Sequence, residues 1–188
     1  QFAKVVGEME PIRPLNLDMP YEFVDEVVGG SIPREYIPSC DKGFQEQLKK
    51  GMLIGAPVVG VRMKVIDGAY HDVDSSDLAF RIAAMAAIRE VYMSAKPAIL
   101  EPIMKLEVQA PEEFQGSVMG QVNQRRGVIQ GSSTMEGYVT IEAHVPLVEM
   151  FGYSTDLRSA TQGKGEFTME FAQYQAVPRN VQDEMVKK

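Results

Sequence analysis

Apolar and polar positions change rhythm near the middle of this chain. In residues 97–188, Met104, Leu106 and Val108 alternate with Lys105, Glu107 and Gln109, the period of a strand with one buried face. Phe114, Val118 and Val122 then recur at helical spacing, and Arg125-Arg126-Gly127 places cations and a glycine at the helix end. Gly127–Gln130 reads as a short strand, with Gly131-Ser132-Ser133 as its turn. Val139, Ile141, Ala143 and Val145 alternate again. Met150, Tyr153, Leu157 and Ala160 mark a second helix closed by Gly163, and Phe167, Met169 and Phe171 predict a last strand. The predicted order is βαββαβ, the split ferredoxin-like pattern.

The first half is also mixed. Residues 3–10 and 21–28 read as strands, and 59–66 is apolar enough for a buried one. A helix is predicted over 38–50 and a longer one over 77–93, with Leu78, Ile82, Met85, Ile88 and Tyr92 on its inner face. Asp74 is the expected cap of that helix, with Asp77 helped by the macrodipole. Between the halves, Lys96-Pro97 and Glu101-Pro102 stop the helix and favour extended backbone, which sets the boundary at residues 96/97. From Val177 onward, Val181 and Met185 at i, i+4 spacing suggest a short tail helix docked on the body.

The 188 residues suit one large domain or two small ones, and 45% of them are hydrophobic. No apolar run is long enough to span a bilayer, so no membrane partner is expected. The single cysteine, Cys40, excludes an internal disulfide and fits a reducing cytoplasm. The chain opens on Gln1-Phe2-Ala3-Lys4, which reads as a cut piece of a longer protein. A net charge of −7, shared between both halves, makes it a poor indiscriminate binder of nucleic acid.

Catalytic and metal signatures are weak. His71-Asp72-Val73-Asp74-Ser75-Ser76-Asp77 begins like a calcium loop, but Asp77 stands where the turn needs Gly and Ala83 where the closing Glu belongs. His71 has no second His or Cys beside it, so no metal is assigned. Gly29-Gly30-Ser31-Ile32-Pro33 and Gly163-Lys164-Gly165 lack the Gly-Lys-Ser/Thr end of a phosphate loop. Cys40 and His71 have no identifiable catalytic partners, and no catalytic residue is assigned.

Several segments together resemble the C-terminal part of bacterial-type translation elongation factor G. They are Gly29-Gly30-Ser31-Ile32-Pro33-Arg34-Glu35-Tyr36-Ile37-Pro38, Tyr70-His71-Asp72-Val73-Asp74-Ser75-Ser76, Lys96-Pro97 through Glu101-Pro102-Ile103-Met104, Arg125-Arg126-Gly127, and Val145-Pro146-Leu147 with Glu149 through Ser159. They occur in the family's order across nearly the whole chain. The resemblance implies an α+β protein of two domains. Residues 1–96 would be the elongated α/β fourth domain, 97–175 the ferredoxin-like fifth, and 176–188 a tail helix packing back on the first.

In that family the fourth-domain tip meets tRNA and mRNA at the small-subunit decoding site, and the fifth domain lies against large-subunit rRNA near the stalk base. The resemblance therefore implies a ribosome-binding module for tRNA–mRNA translocation. Tip contacts fall on His71, Asp72, Val73, Asp74 and Ser75. Arg34, Arg125, Arg126, Arg158 and Lys164 are the candidate rRNA contacts, with Lys49 and Lys50 as further basic positions. The expected partners are rRNA, tRNA, mRNA and ribosomal proteins near the stalk base, with the fragment itself monomeric. GTP and magnesium belong to a G domain absent here, so the fragment is expected to bind no cofactor and to hydrolyse no GTP. The family's glycine-rich first tip loop is also absent except for Gln1 at its end. A recycling or ribosome-protection paralogue, a stand-alone ferredoxin-like binding module, and a small hydrolase using Cys40 or His71 remain the alternatives.

Overall fold

The computed structural model describes residues 1–188, which divide into two compact units. One comprises Gln1–Pro97 with Glu184–Lys188, the other Ala98–Asp183. In the first unit, β1 (Lys4–Pro11), β2 (Tyr21–Asp25) and β3 (Val61–Ala69) form a sheet of order β1-β3-β2. Helix α1 (Ile37–Leu48) lies between β2 and β3 in the chain, and α2 (Asp77–Val91) follows β3. Strand β3 is central because Val61, Met63 and Val65 alternate inward, where they meet Phe44, Phe80, Ala84 and Ile88.

Strand β1 runs antiparallel to β3, pairing Lys4 with Ala69, whereas β2 runs parallel to it, pairing Tyr21 with Val61. The start of β1, the end of β2 and the end of β3 therefore share one end of the sheet. Residues 1–3, 26–36 and 70–76 come together there. At that same end the Ser39 hydroxyl donates to the Asp77 carboxylate at 2.7 Å, joining the first turns of α1 and α2.

Helix α2 keeps Ile88 and Tyr92 of its predicted face inward but turns Leu78 and Ile82 outward. Phe80, Ala84, Ile88 and Tyr92 are buried, whereas Leu78 and Ile82 are 53% and 52% exposed. Two apolar stripes run along this helix, and the one holding the aromatic Phe80 is the one that packs. Its cap is Ser76, whose hydroxyl accepts from the Ala79 N–H at 3.1 Å, and not Asp74. Ser76 takes the capping position because its extended backbone directly precedes the first helical residue.

Cys40 is fully buried on α1. Burial pushes its thiol from an ordinary 9.0 up to about 12, and it pushes the Tyr21 phenol, which donates to Asp41 at 2.6 Å, higher still. Between pH 9 and 12 the unfolded thiol has lost its proton while the folded one keeps it. The first unit therefore loses stability as pH rises through that window, and below pH 9 the thiol contributes no slope. Chemical denaturation at pH 8 and 10.5 should show the loss, and Cys40→Ala should reduce it to the smaller part that the buried Tyr21 phenol adds above pH 10. The native thiol should also resist alkylation at pH 8 until denaturant is added.

The second unit contains β4 (Leu100–Pro111), α3 (Gln115–Gln124), β5 (Val128–Met135), β6 (Tyr138–Pro146), α4 (Tyr153–Ala160) and β7 (Glu166–Ala176). A short helix, α5 (Arg179–Val186), ends the chain. The antiparallel sheet has the order β5-β6-β4-β7, the ferredoxin-like arrangement of βαββαβ. Leu106, Val108, Val139, Ile141, Ala143 and Val145 face Val118, Val122, Tyr153 and Leu157 of the helices in one core.

One expectation is corrected in this unit, and the predicted last strand is present as β7. Gly131-Ser132-Ser133 is not a turn: these residues pair with Glu142, Ile141 and Thr140, and β5 continues to Met135. The reversal falls at Glu136-Gly137, with φ of 52° and 81°, the two left-handed residues a tight hairpin requires. On β7, Phe167 packs against the core, but Met169 and Phe171 are 36% and 49% exposed. This strand is a sheet edge, and the helices cover only its first residues.

Candidate functional site

The loop Tyr70–Ser76 joins β3 to α2 at the shared end of the first sheet. His71, Asp72, Val73 and Asp74 are exposed, Val73 at 88%, so their side chains contribute little to the core. Their backbone is nevertheless tied down. The His71 N–H donates to the Ser75 hydroxyl at 2.8 Å, and the Asp74 N–H donates to the His71 carbonyl at 3.2 Å. The Val73 N–H donates to Nδ1 of the His71 ring at 3.3 Å. Two further bonds fasten the loop to the segment entering β1. Ser75 donates to the Phe2 carbonyl at 2.7 Å, and the Phe2 N–H donates to the Asp74 carbonyl at 2.7 Å. A loop held this way keeps its shape without a core of its own.

The neighbouring segment reverses at Gly29 and Gly30, whose φ values of 67° and 69° favour glycine. Buried Ile32 then anchors it beside β3, where a Cβ on Gly68 would meet the Ile32 side chain at 2.6 Å. Arg34 opens the 3-10 turn Arg34–Tyr36, and Tyr36 stacks on Phe80 with centroids 4.9 Å apart. Beside the His71 loop, this end also exposes Val28, at 79%. Sequence reasoning missed Phe2 and Ser76 as supports of the loop. The N-cap signal of Ser76 was readable, whereas the Phe2 bonds use only its backbone atoms and leave no trace in residue type.

The candidate cations fall into two groups. Arg125 donates to the Glu149 and Phe151 carbonyls, pairs with Asp156 and lies 5.1 Å over the Tyr153 ring. Arg126 forms two bonds with Glu101, at 2.9 and 3.0 Å, and a third with Glu149 at 3.0 Å. Those hydrogen bonds raise its guanidinium pKa further. Both side chains hold the end of α3 against the Leu147–Met150 turn, and Arg126 also ties it to β4 through Glu101. Arg125 and Arg126, the candidate rRNA contacts of this unit, thus spend several of their donors on acceptors within it. Arg34, Lys49, Lys50, Arg158 and Lys164 are exposed and form no ion pair. No three His, Cys, Asp or Glu side chains come together as metal ligands.

Two family models cover the chain: elongation factor G domain IV matches residues 1–96, and the elongation factor G C-terminus matches residues 98–185. The chain belongs to the elongation factor G family. Elongation factor G 2 of Bdellovibrio bacteriovorus is 61% identical over 188 residues, which is all of this chain and 27% of that protein. Elongation factor G 1 of Desulfotalea psychrophila is 59% identical, and that of Treponema pallidum 56%, each over 187 residues and 26% of its length. A crystal structure of a Thermus thermophilus protein superposes with a TM-score of 0.81 at 36% identity, covering 99% of this chain and 29% of that one. The chain thus spans about a quarter of the length of the curated relatives it matches. Within the elongation factor G family it corresponds to the C-terminal translation-factor module. No helix is long and apolar enough to cross a membrane.

Proposed function

We propose that this chain is the ribosome-contacting module of a translational GTPase that drives tRNA–mRNA translocation. The His71–Ser75 loop meets tRNA and mRNA, and the second unit lies on large-subunit rRNA near the stalk base. Residues 1–96 act as the tip-bearing domain, 97–175 as the rRNA-facing domain, and 176–188 as a tail packed on the first. The observation that carries this reading is the His71 loop itself: residues 71–74 are exposed while the backbone is internally bonded. Such a loop suits contact at a fixed position. Arg34, Arg158 and Lys164 are the cations assigned to rRNA phosphates, because they are exposed and unpaired. GTP turnover is placed elsewhere in the parent, since neither Gly-rich segment here carries a phosphate-loop ending. The module works in the cytoplasm.

The test is His71→Ala in the full-length parent. The rate of tRNA–mRNA movement should fall about tenfold, the equivalent of one lost hydrogen bond to a charged acceptor. GTP turnover on the ribosome should persist. Stability of this 188-residue chain should stay within about 0.5 kcal/mol, since the residue is exposed. Unchanged translocation would remove the tip assignment. A large stability loss without a translocation defect would make His71 a packing residue instead.

A further inference from the structure

We infer that Ser75 is a positioning residue that sets the His71 ring, so that its Nε2–H is the donor offered to a phosphate or ribose oxygen; this rests on the tip reading above. One hydroxyl does two tasks. It accepts from the His71 N–H at 2.8 Å and donates its only hydrogen to the Phe2 carbonyl at 2.7 Å. The first residue of the loop is thereby fixed to the segment that enters β1. With the backbone of residue 71 held, Nδ1 of its ring receives the Val73 N–H at 3.3 Å. An accepting Nδ1 carries no hydrogen, so the neutral ring carries its hydrogen on Nε2. Nε2 makes no hydrogen bond within the chain.

The composition of the loop makes that single donor matter. Asp72 and Asp74 present acceptors and negative charge, and Val73 presents only methyl groups. Between residues 71 and 74 the imidazole is the one side chain able to donate to an RNA oxygen. The hydroxyl that fixes residue 71 therefore carries functional weight. Threonine keeps both bonds of Ser75, and alanine keeps neither.

The experiment compares Ser75→Ala, Ser75→Thr, His71→Ala and the double variant Ser75→Ala/His71→Ala. Amide hydrogen exchange is followed in this chain, and translocation in the full-length parent. In Ser75→Ala the His71 amide should exchange at least tenfold faster, and translocation should slow severalfold. Ser75→Thr should restore both. The double variant should translocate no more slowly than His71→Ala alone, because Ser75 acts through the ring. Unchanged exchange at the His71 amide in Ser75→Ala overturns the positioning role whatever the translocation result. A further slowing in the double variant overturns it too, since Ser75 would then act independently of the ring. Full-speed translocation by His71→Ala would contradict the tip reading, and with it the donor role drawn from the ring.

Discussion

Phe80→Ala should lower the stability of the first unit by about 3–5 kcal/mol, the usual range for removing a fully enclosed aromatic ring. Phe80 is completely buried and stacks on Tyr36 with an interplanar angle of 17°. It belongs to the same cluster as Cys40, Phe44, Met63 and Val65, so the cavity would open at the centre of the core. The consequence reaches function through position. Phe80 lies one turn beyond Ser76, and Tyr36 ends the 3-10 turn that Arg34 begins. Losing the ring therefore releases the supports of both loops at the sheet end. Denaturant unfolding read by circular dichroism should show the loss, and amides of residues 29–36 and 70–76 should exchange faster. A loss under about 1 kcal/mol would mean that the cluster does not hold the loops.

Gly43→Ala should destabilise the same unit by about 1–3 kcal/mol, and Gly43→Val by more. Propensity alone argues the other way, since Ala is favoured over Gly by about 1 kcal/mol inside a helix. Close packing decides the sign. A Cβ on Gly43 would meet the Arg81 carbonyl oxygen at 2.4 Å and the Ala84 Cβ at 2.9 Å. The first neighbour is backbone within α2 and cannot swing aside, so α1 and α2 must separate. Equal or higher stability of Gly43→Ala in denaturant unfolding would show that the helices have room to spare.

What the sequence disclosed followed from how much of each signal is local. The alternation of Leu106, Val108, Val139, Ile141, Ala143 and Val145 was enough for the ferredoxin-like order, because both strands are central and bury a whole face. Edges behaved differently. On β7, Met169 and Phe171 look inward by period, yet an edge strand gets no cover where the helices stop. On α2, two apolar stripes compete, and only the tertiary choice of Phe80 over Leu78 and Ile82 decides between them. The end of β5 was misplaced because Gly-Ser-Ser looks like a turn, whereas Glu136-Gly137 supplies the positive φ values a hairpin uses.

For the candidate site, the sequence disclosed which residues form the loop but not what holds it. Two of its ties run to backbone atoms of Phe2, at the far end of the first unit's sequence. Cation roles were equally hidden. Arg125 and Arg126 look like a basic pair in the sequence, and only the fold brings Glu101, Glu149 and Asp156 to them.

The central claim is that the His71 loop touches tRNA and mRNA during translocation. Val73 is the most exposed large apolar residue of the chain, so a photo-crosslinking side chain placed there in the full-length parent should leave the fold intact. Irradiation of the ribosome complex stalled after translocation should join position 73 to tRNA or mRNA, and a probe at Met135, in the second unit, should not. Crosslinks from position 73 confined to ribosomal protein or large-subunit rRNA, with none to tRNA or mRNA, would contradict the claim.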